Sequence, residues 1–304
     1  YIYNVVKFIS RSQKMFDHLA SPTPYQSLDI PYPVQLTVKR LDLIHPHISG
    51  NKFYKLKYNL LAAKQQGCTQ VLTFGGAFSN HIAATAYAAH YFGLGSIGII
   101  RGEELAKKAL NSTLQMAQNL GMQLHFVSRD EYRLRHDATY LQQLQQRHPH
   151  TYIIPEGGTN ALAIQGCEEV LSQHDVANFD VICCAVGTGG TIAGIIKSSS
   201  ALQHILGFPA LKGDFLKDEI RQWTAKTNWS LTDAYCCGGY AKTTPELLQF
   251  MQDFEQQHDI PLEQVYTAKM MLGIFDLIQQ DYFPENTRIL AIHTGGLQGK
   301  RKTY

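Results

Sequence analysis

Short apolar runs rich in β-branched residues alternate along this chain with longer stretches whose apolar positions recur every three or four residues. The first pattern suits strands buried on both faces, and the second suits helices that bury one stripe. Read this way, QLTVKR (35–40) predicts a strand and FYKLKYNLLAAKQQG (53–67) a helix closed by Gly67. QVLTF (70–74) predicts a strand, and NHIAATAYAAHYFG (80–93) a helix again ended by glycine. SIGII (96–100), LNSTLQMAQNLG (110–121) and QLHFV (123–127) continue the series as strand, helix and strand. A Leu- and Gln-rich helix to about Arg147 and the strand TYIIP (151–155) complete this half. Beyond Gly157-Gly158 come the helix ALAIQGCEEVLSQH, the strand DVICCAV, the helix TIAGIIKSSSALQ and a strand near HILGF. The polar stretch 209–231 has no clear period, and AYCCGGY reads as a strand running into a loop. PELLQFMQDFEQQH and EQVYTAKMMLGIFDLIQQ predict helices, and RILAIHTGG a last strand with a glycine turn.

Strands alternating with helices define an α/β chain with open, mostly parallel sheets covered by helices. At 304 residues the chain suits about two domains. The expected large domain takes 1–53 and 155–304 and the small one 54–154, so the chain crosses between them twice.

Composition narrows the chemistry. The chain is 44% hydrophobic with a net charge of +2, so it can bury large cores and offers no massed basic surface for nucleic acid. Its six cysteines include the adjacent pairs Cys183-Cys184 and Cys236-Cys237 but no CxxC or zinc spacing, which reads as buried free thiols in a reducing compartment. The thirteen histidines lack the spacing of a metal site. No signal-peptide layout or membrane-length apolar run of ~18 residues appears, so a soluble, cytoplasmic protein is expected.

Candidate chemistry lies in the glycine-bearing loops at strand ends. In VICCAVGTGGTIAGI, a buried strand runs into Gly187-Thr188-Gly189-Gly190-Thr191 and then a helix. Glycines let backbone amides approach an anion, and the helix N-terminus favours a phosphate there. Neither the Walker spacing nor the dinucleotide fingerprint is met. In TFGGAFSNHIAA, Ser79 and Asn80 stand at a helix entry, where they either cap the helix or bind a substrate carboxylate. PEGGTN (155–160) and HTGGLQG (293–299) are the other two loops. Lys52 follows Ser-Gly-Asn at the start of a helix, where the helix dipole disfavours an ammonium, whereas Lys55 and Lys57 read as an ordinary basic helix face. An amine held there is suited to attack a carbonyl. A phosphorylated aldehyde cofactor meeting an amino acid satisfies all three features.

GNKFYKL, GGAFSNH, VGTGGTIAG, VYTAKMMLGIFDLI and IHTGG together resemble the pyridoxal-phosphate enzymes of the tryptophan-synthase-β-like fold. Within them the chain is similar to the family of 1-aminocyclopropane-1-carboxylate deaminases and D-cysteine desulfhydrases, from about residue 20 to the last strand. The resemblance implies pyridoxal 5'-phosphate as cofactor and Lys52 as its Schiff-base lysine. It implies that Ser79 and Asn80 bind the substrate carboxylate, with Asn80 also near the cofactor, and that Gly187 to Thr191 cradle the phosphate. Tyr240 and Tyr266 match the two active-site tyrosines, and Thr294 the residue beside the pyridine nitrogen. Phe78 and Ala83 depart from the family's usual Gln and Arg.

Ring-opening deaminases typically carry Glu after the second tyrosine and Leu in the last glycine turn, where this chain has Thr267 and Thr294. The implied activity is therefore D-cysteine desulfhydrase-like β-elimination, releasing pyruvate, ammonia and sulfide. A 1-aminocyclopropane-1-carboxylate deaminase and a non-catalytic amino-acid-sensing protein are the alternatives. The expected partners are a small amino-acid substrate and a second copy in a homodimer, with no nucleic acid and no membrane.

Overall fold

The computed structural model describes residues 16–213 and 215–300. Strands β1 (Tyr25–Leu28) and β2 (Gln35–Lys39) are followed by helix α1 (Asn51–Gln65). Then come β3 (Gln70–Gly75), α2 (Asn80–Tyr91), β4 (Gly95–Arg101), α3 (Ser112–Asn119) and β5 (Met122–Val127). Helices α4 (Arg129–Arg133) and α5 (Ala138–Arg147), β6 (Thr151–Ile154), α6 (Ala161–Cys167) and α7 (Gln173–Asn178) lead to β7 (Val181–Val186). The remainder is α8 (Gly190–Ser198), β8 (His204–Pro209), α9 (Phe215–Arg221), β9 (Trp229–Leu231), α10 (Pro245–His258), α11 (Thr267–Gln279) and β10 (Arg288–Ile292).

The chain forms two compact units. The first holds Lys52–Gly166 with His45–Ile48 and the described residues before Pro22. Its four strands are ordered β5-β4-β3-β6, and every pairing is parallel. One side of this sheet packs Phe74, Ile97, Tyr132 and Leu144, and another cluster gathers Ile82, Ala86, Leu114 and Met122. The second unit holds Pro22–Ile44, Ser49–Asn51 and the chain from Cys167 onward. Its six strands are ordered β1-β2-β10-β7-β8-β9, all parallel except the β1–β2 pair. Strand β7 is buried at every residue, as its unbroken apolar run requires of a central parallel strand. Its two cysteines are buried free thiols, and burial pushes the Cys183 thiol up. No helix among the described residues is long and apolar enough to cross a membrane.

Local chemistry explains where the elements depart from the sequence reading. The helix expected over 161–174 stops at Cys167, and Ser172 opens a new one through a capping box with Asp175. Asp137 caps α5 by accepting from Tyr140 N–H, so the helix expected to run to Arg147 starts afresh there. AYCCGGY is not a strand. Cys237, Gly238 and Gly239 have φ of +52, +83 and +123°, a succession that no strand tolerates. The strand of this region is β9, upstream of it. Lys55 and Lys57 are not an exposed basic face either, since each is only 3% exposed. Lys55 Nζ donates to Gly157 O at 2.8 Å and Thr159 Oγ1 at 3.0 Å, and Lys57 Nζ pairs with Asp17 at 2.8 Å.

A buried ion pair ties β2 to α7. Lys39 Nζ lies 2.5 Å from Asp175 Oδ2 and donates to Val170 O at 2.7 Å. Tyr25 donates to Asp175 Oδ1 at 2.7 Å, and burial, reinforced by that carboxylate, pushes its phenol up to about 12. Replacing Lys39 by methionine keeps the packing volume but leaves a fully buried carboxylate without its cation. Lys39→Met is expected to lower unfolding free energy by about 3–5 kcal/mol in a denaturant titration. A loss under about 1 kcal/mol would contradict this account.

Candidate functional site

The first unit carries Lys52, Ser79 and Asn80. Lys52 sits in the first turn of α1 and is half-buried. Ser79 is the N-cap of α2, accepting from Ile82 N–H at 3.3 Å, so the capping role is realised. That role uses an acceptor lone pair and leaves the Ser79 O–H available to donate, so capping and carboxylate binding are compatible. The turn before it is tight because Ser79 N–H donates to Gly76 O at 3.0 Å. Of the two departures from the family pattern, Phe78 is 58% exposed and Ala83 is buried inside α2.

His81, in the first turn of α2, is buried. Thr73 Oγ1 donates to Ile154 O at 2.9 Å and therefore accepts from His81 Nε2, 2.8 Å away. The imidazole is thus the Nε2–H tautomer, and its buried Nδ1 has no hydrogen-bond partner among the described residues. Burial first, then the ammonium groups of Lys52 and Lys55, hold His81 well below the usual imidazole value. A neutral ring stands by the candidate lysine.

The second unit carries the remaining candidates. Gly189, at φ +79°, leads into α8, and no side chain caps that helix end. Asn51 Nδ2 donates to Thr191 Oγ1 at 2.8 Å, which leaves the Thr191 O–H as a donor. A glycine turn, an uncapped helix N-terminus and a hydroxyl donor fit a phosphate dianion. Asn51 N–H also donates to Thr294 O at 3.2 Å. Gly50 closes this approach, because a Cβ there would lie 1.8 Å from Thr294 O. Gly187 lies close against Tyr266, whose ring would be 3.1 Å from a Cβ at that position. Tyr266 and Tyr240 stack edge-to-face with centroids 6.1 Å apart.

Two residues that the sequence reading passed over organise these groups. Asn51 joins the loops after β7 and β10, and Lys52 is the next residue along the chain. Glu263, 1% exposed, accepts from the backbone N–H of Val265, Tyr266 and Thr267 at 2.7, 2.5 and 2.8 Å. Burial pushes its carboxyl up, while those amides and Lys269 oppose the shift. Its carboxylate therefore caps α11 and fixes Tyr266. Thr267 is fully buried, and its Oγ1 accepts from Glu263 N–H at 2.9 Å. The only trace in the sequence is an acid a few residues before the apolar helix.

The chain matches the family of pyridoxal-phosphate dependent enzymes over residues 17–295. A Thermotoga maritima protein provisionally named 1-aminocyclopropane-1-carboxylate deaminase is 32% identical, with 91% of this chain and 95% of the relative covered. The Arabidopsis thaliana mitochondrial bifunctional D-cysteine desulfhydrase/1-aminocyclopropane-1-carboxylate deaminase is 31% identical, with 93% and 77% covered. A crystal structure of an ACC deaminase homologue superposes with a TM-score of 0.80 at 28% identity, over 92% of this chain and 91% of that one. The chain therefore belongs to the pyridoxal-phosphate-dependent enzymes, in the 1-aminocyclopropane-1-carboxylate deaminase and D-cysteine desulfhydrase family, and is a lyase that uses pyridoxal phosphate.

Two expected outcomes follow from this geometry. Gly50→Ala drives a side chain into backbone and adds strain at φ +65°, so stability should fall by at least ~2 kcal/mol. Gly67→Ala, also at positive φ but with open space around it, should cost about 1–2 kcal/mol from strain alone. Equal denaturation midpoints for the two variants would sink the close-approach argument. The second outcome concerns His81. Its folded value is lowered, so the unfolded chain binds the proton first. This contribution to stability is complete above about pH 6.5, the unfolded imidazole value, and declines as pH falls below it. His81→Gln keeps an N–H for Thr73 but cannot titrate. Its stability should fall less steeply between about pH 6.5 and 5 than that of the unsubstituted protein, as read by denaturant midpoints.

Proposed function

We propose that this lyase carries out β-elimination on a small D-amino acid, in the manner of a D-cysteine desulfhydrase. D-cysteine and water would yield pyruvate, ammonia and hydrogen sulfide. The observation that carries the choice is threonine at both 267 and 294, two positions where ring-opening relatives of the resembled family carry Glu and Leu. Pyridoxal phosphate, when bound, supplies the electron sink that makes the substrate α-proton acidic. Without an acidic side chain at these two positions to keep its ring nitrogen protonated, that sink is weak. A weak sink favours a substrate with an acidic α-hydrogen and a thiolate to expel. A cyclopropane ring without an α-hydrogen is harder to open.

In this reading Lys52 Nζ would hold the cofactor, and its amine would take the substrate α-proton. Gly187 to Thr191 hold the phosphate through backbone N–H groups and the hydroxyls of Thr188 and Thr191. Ser79 Oγ donates to the substrate carboxylate, and Asn80 orients substrate and cofactor beside it. Tyr240 and Tyr266 place their phenols against the leaving group or the carboxylate. Thr267 and Thr294 are the neutral residues by the cofactor ring. A second copy of the chain completes a homodimer. Action on 1-aminocyclopropane-1-carboxylate is the second reading, favoured by the names of both relatives.

Two measurements separate these readings. Borohydride reduction of the holoenzyme followed by peptide mapping should label Lys52. Label on Lys55 or Lys57 would move the attachment point, although their amines already serve Gly157, Thr159 and Asp17. For substrate, kcat/KM for D-cysteine, read as pyruvate, should exceed that for 1-aminocyclopropane-1-carboxylate, read as 2-oxobutyrate, by at least about tenfold, or ~1.4 kcal/mol of barrier. Equal efficiencies would refute the argument from the sink. Thr267→Glu is a poor converse test, because it would set a second carboxylate beside the buried Glu263.

A further inference from the structure

A bowl of about 350 Å³ in the first unit is lined by Arg101, Arg129, Tyr132, Arg133 and Arg135. It shares no residue with the loops described above. Four of its five lining residues are guanidinium groups and none is an acid. The acids that pair with them lie outside that lining. Asp130 pairs with Arg133 at 2.5 Å, Glu156 with Arg135 at 2.5 Å, and Glu104 lies 3.7 Å from Arg129. Arg101, at the end of β4, has no acidic partner among the described residues, so one positive charge of the bowl is uncompensated.

The wall is built rather than merely crowded. Arg101 and Arg135 lie over the ring of the buried Tyr132, their Cζ atoms 5.7 and 5.0 Å from its centroid. Tyr132 donates to Glu156 Oε1 at 2.6 Å, and the same carboxylate holds Arg135. The ring and Glu156 thus hold two guanidinium groups before any ligand arrives, which reduces the ordering cost of binding. Planar forks of N–H donors match the oxygens of phosphate better than any neutral group. The bowl also sits at the carboxyl ends of parallel strands, where ligands of open α/β sheets bind. Arg101 Nη2 is 3.6 Å from where a side chain on Gly76 would begin, and Gly76 O receives the Ser79 N–H.

We propose that this bowl binds a multiply charged oxyanion, a phosphate or pyrophosphate group, either free or carried on a small organic molecule. The test is calorimetric titration of the cofactor-loaded enzyme at low ionic strength with inorganic phosphate, inorganic pyrophosphate and glycerol 3-phosphate. Loading the cofactor first fills the other phosphate-binding loop. Pyrophosphate should bind once per chain. Arg101→Gln combined with Arg133→Gln should weaken it at least about tenfold, or ~1.4 kcal/mol, with bound-cofactor absorbance and circular dichroism retained. Tighter binding of glycerol 3-phosphate than of inorganic phosphate assigns the site to an organic phosphate, and the reverse order to the free anion. Absence of pyrophosphate binding, or unchanged affinity in the double variant, overturns the proposal.

Discussion

Much of the candidate chemistry depends on one backbone contact. The chain at Ser49–Asn51 lies against the turn after β10 so closely that residue 50 has room only for hydrogen, a Cβ there falling 1.8 Å from Thr294 O. Asn51 then uses two donors, its N–H toward Thr294 O and its side-chain amide toward Thr191 Oγ1. The start of α1, the head of α8 and the end of β10 are fixed together by this arrangement. Lys52 is one peptide bond further on.

The strand order was open in the sequence, but the strands themselves were legible. VICCAV has no polar position, and a strand of that kind belongs in the middle of a parallel sheet. Helix α10 was legible to the residue because Thr244 caps it and Pro245 occupies its first turn. What the sequence hid were places where side chains compete with the periodic pattern. Ser172 and Asp175 cut an apparently continuous helix, and three successive positive φ values turned an apparent strand at Cys237 into a loop. Lys55 and Lys57 deceived for another reason. Charged helix positions look solvated until their partners, a carbonyl and a hydroxyl of a glycine loop and a remote aspartate, are placed by the fold. Asn51 and Glu263 were hidden in the same way, since their partners, a distant threonine hydroxyl and a run of backbone amides, are placed only by the fold.

Buried polar side chains follow one rule among the described residues of the second unit, whereas the first leaves His81 Nδ1 and the hydroxyls of Thr85, Thr113 and Thr151 without a hydrogen-bond partner. Asp175 is matched by Lys39, Tyr25 and Ser172, and Glu263 by three amides. A buried carboxylate satisfied in this way is rigid, and rigidity at Glu263 is passed directly to Tyr266 and Thr267. Among the unpartnered groups of the first unit, His81 is the titratable one, with one ring nitrogen bonded and the other not. Burial above all, and the positive charges of Lys52 and Lys55 beside it, keep the ring neutral. The first unit can thus keep an imidazole close to its candidate lysine without adding to the local positive charge.

The departures at Phe78 and Ala83 take on meaning in this setting. The SNHxR pattern would place a guanidinium on α2 where Ala83 is 1% exposed, in a helix whose inner face is packed with alanines. An arginine there would have to leave the core or displace its packing. The guanidinium near this turn comes from β4, where Arg101 Nη2 lies 3.6 Å from where a side chain on Gly76 would begin. Phe78 replaces an amide by an exposed ring one residue before Ser79, so the turn loses a hydrogen-bonding side chain while Ser79 keeps its cap and its donor. The polar side chains of the turn itself are then the Ser79 hydroxyl and the Asn80 amide. The same elements carry different contacts from those the family motif describes.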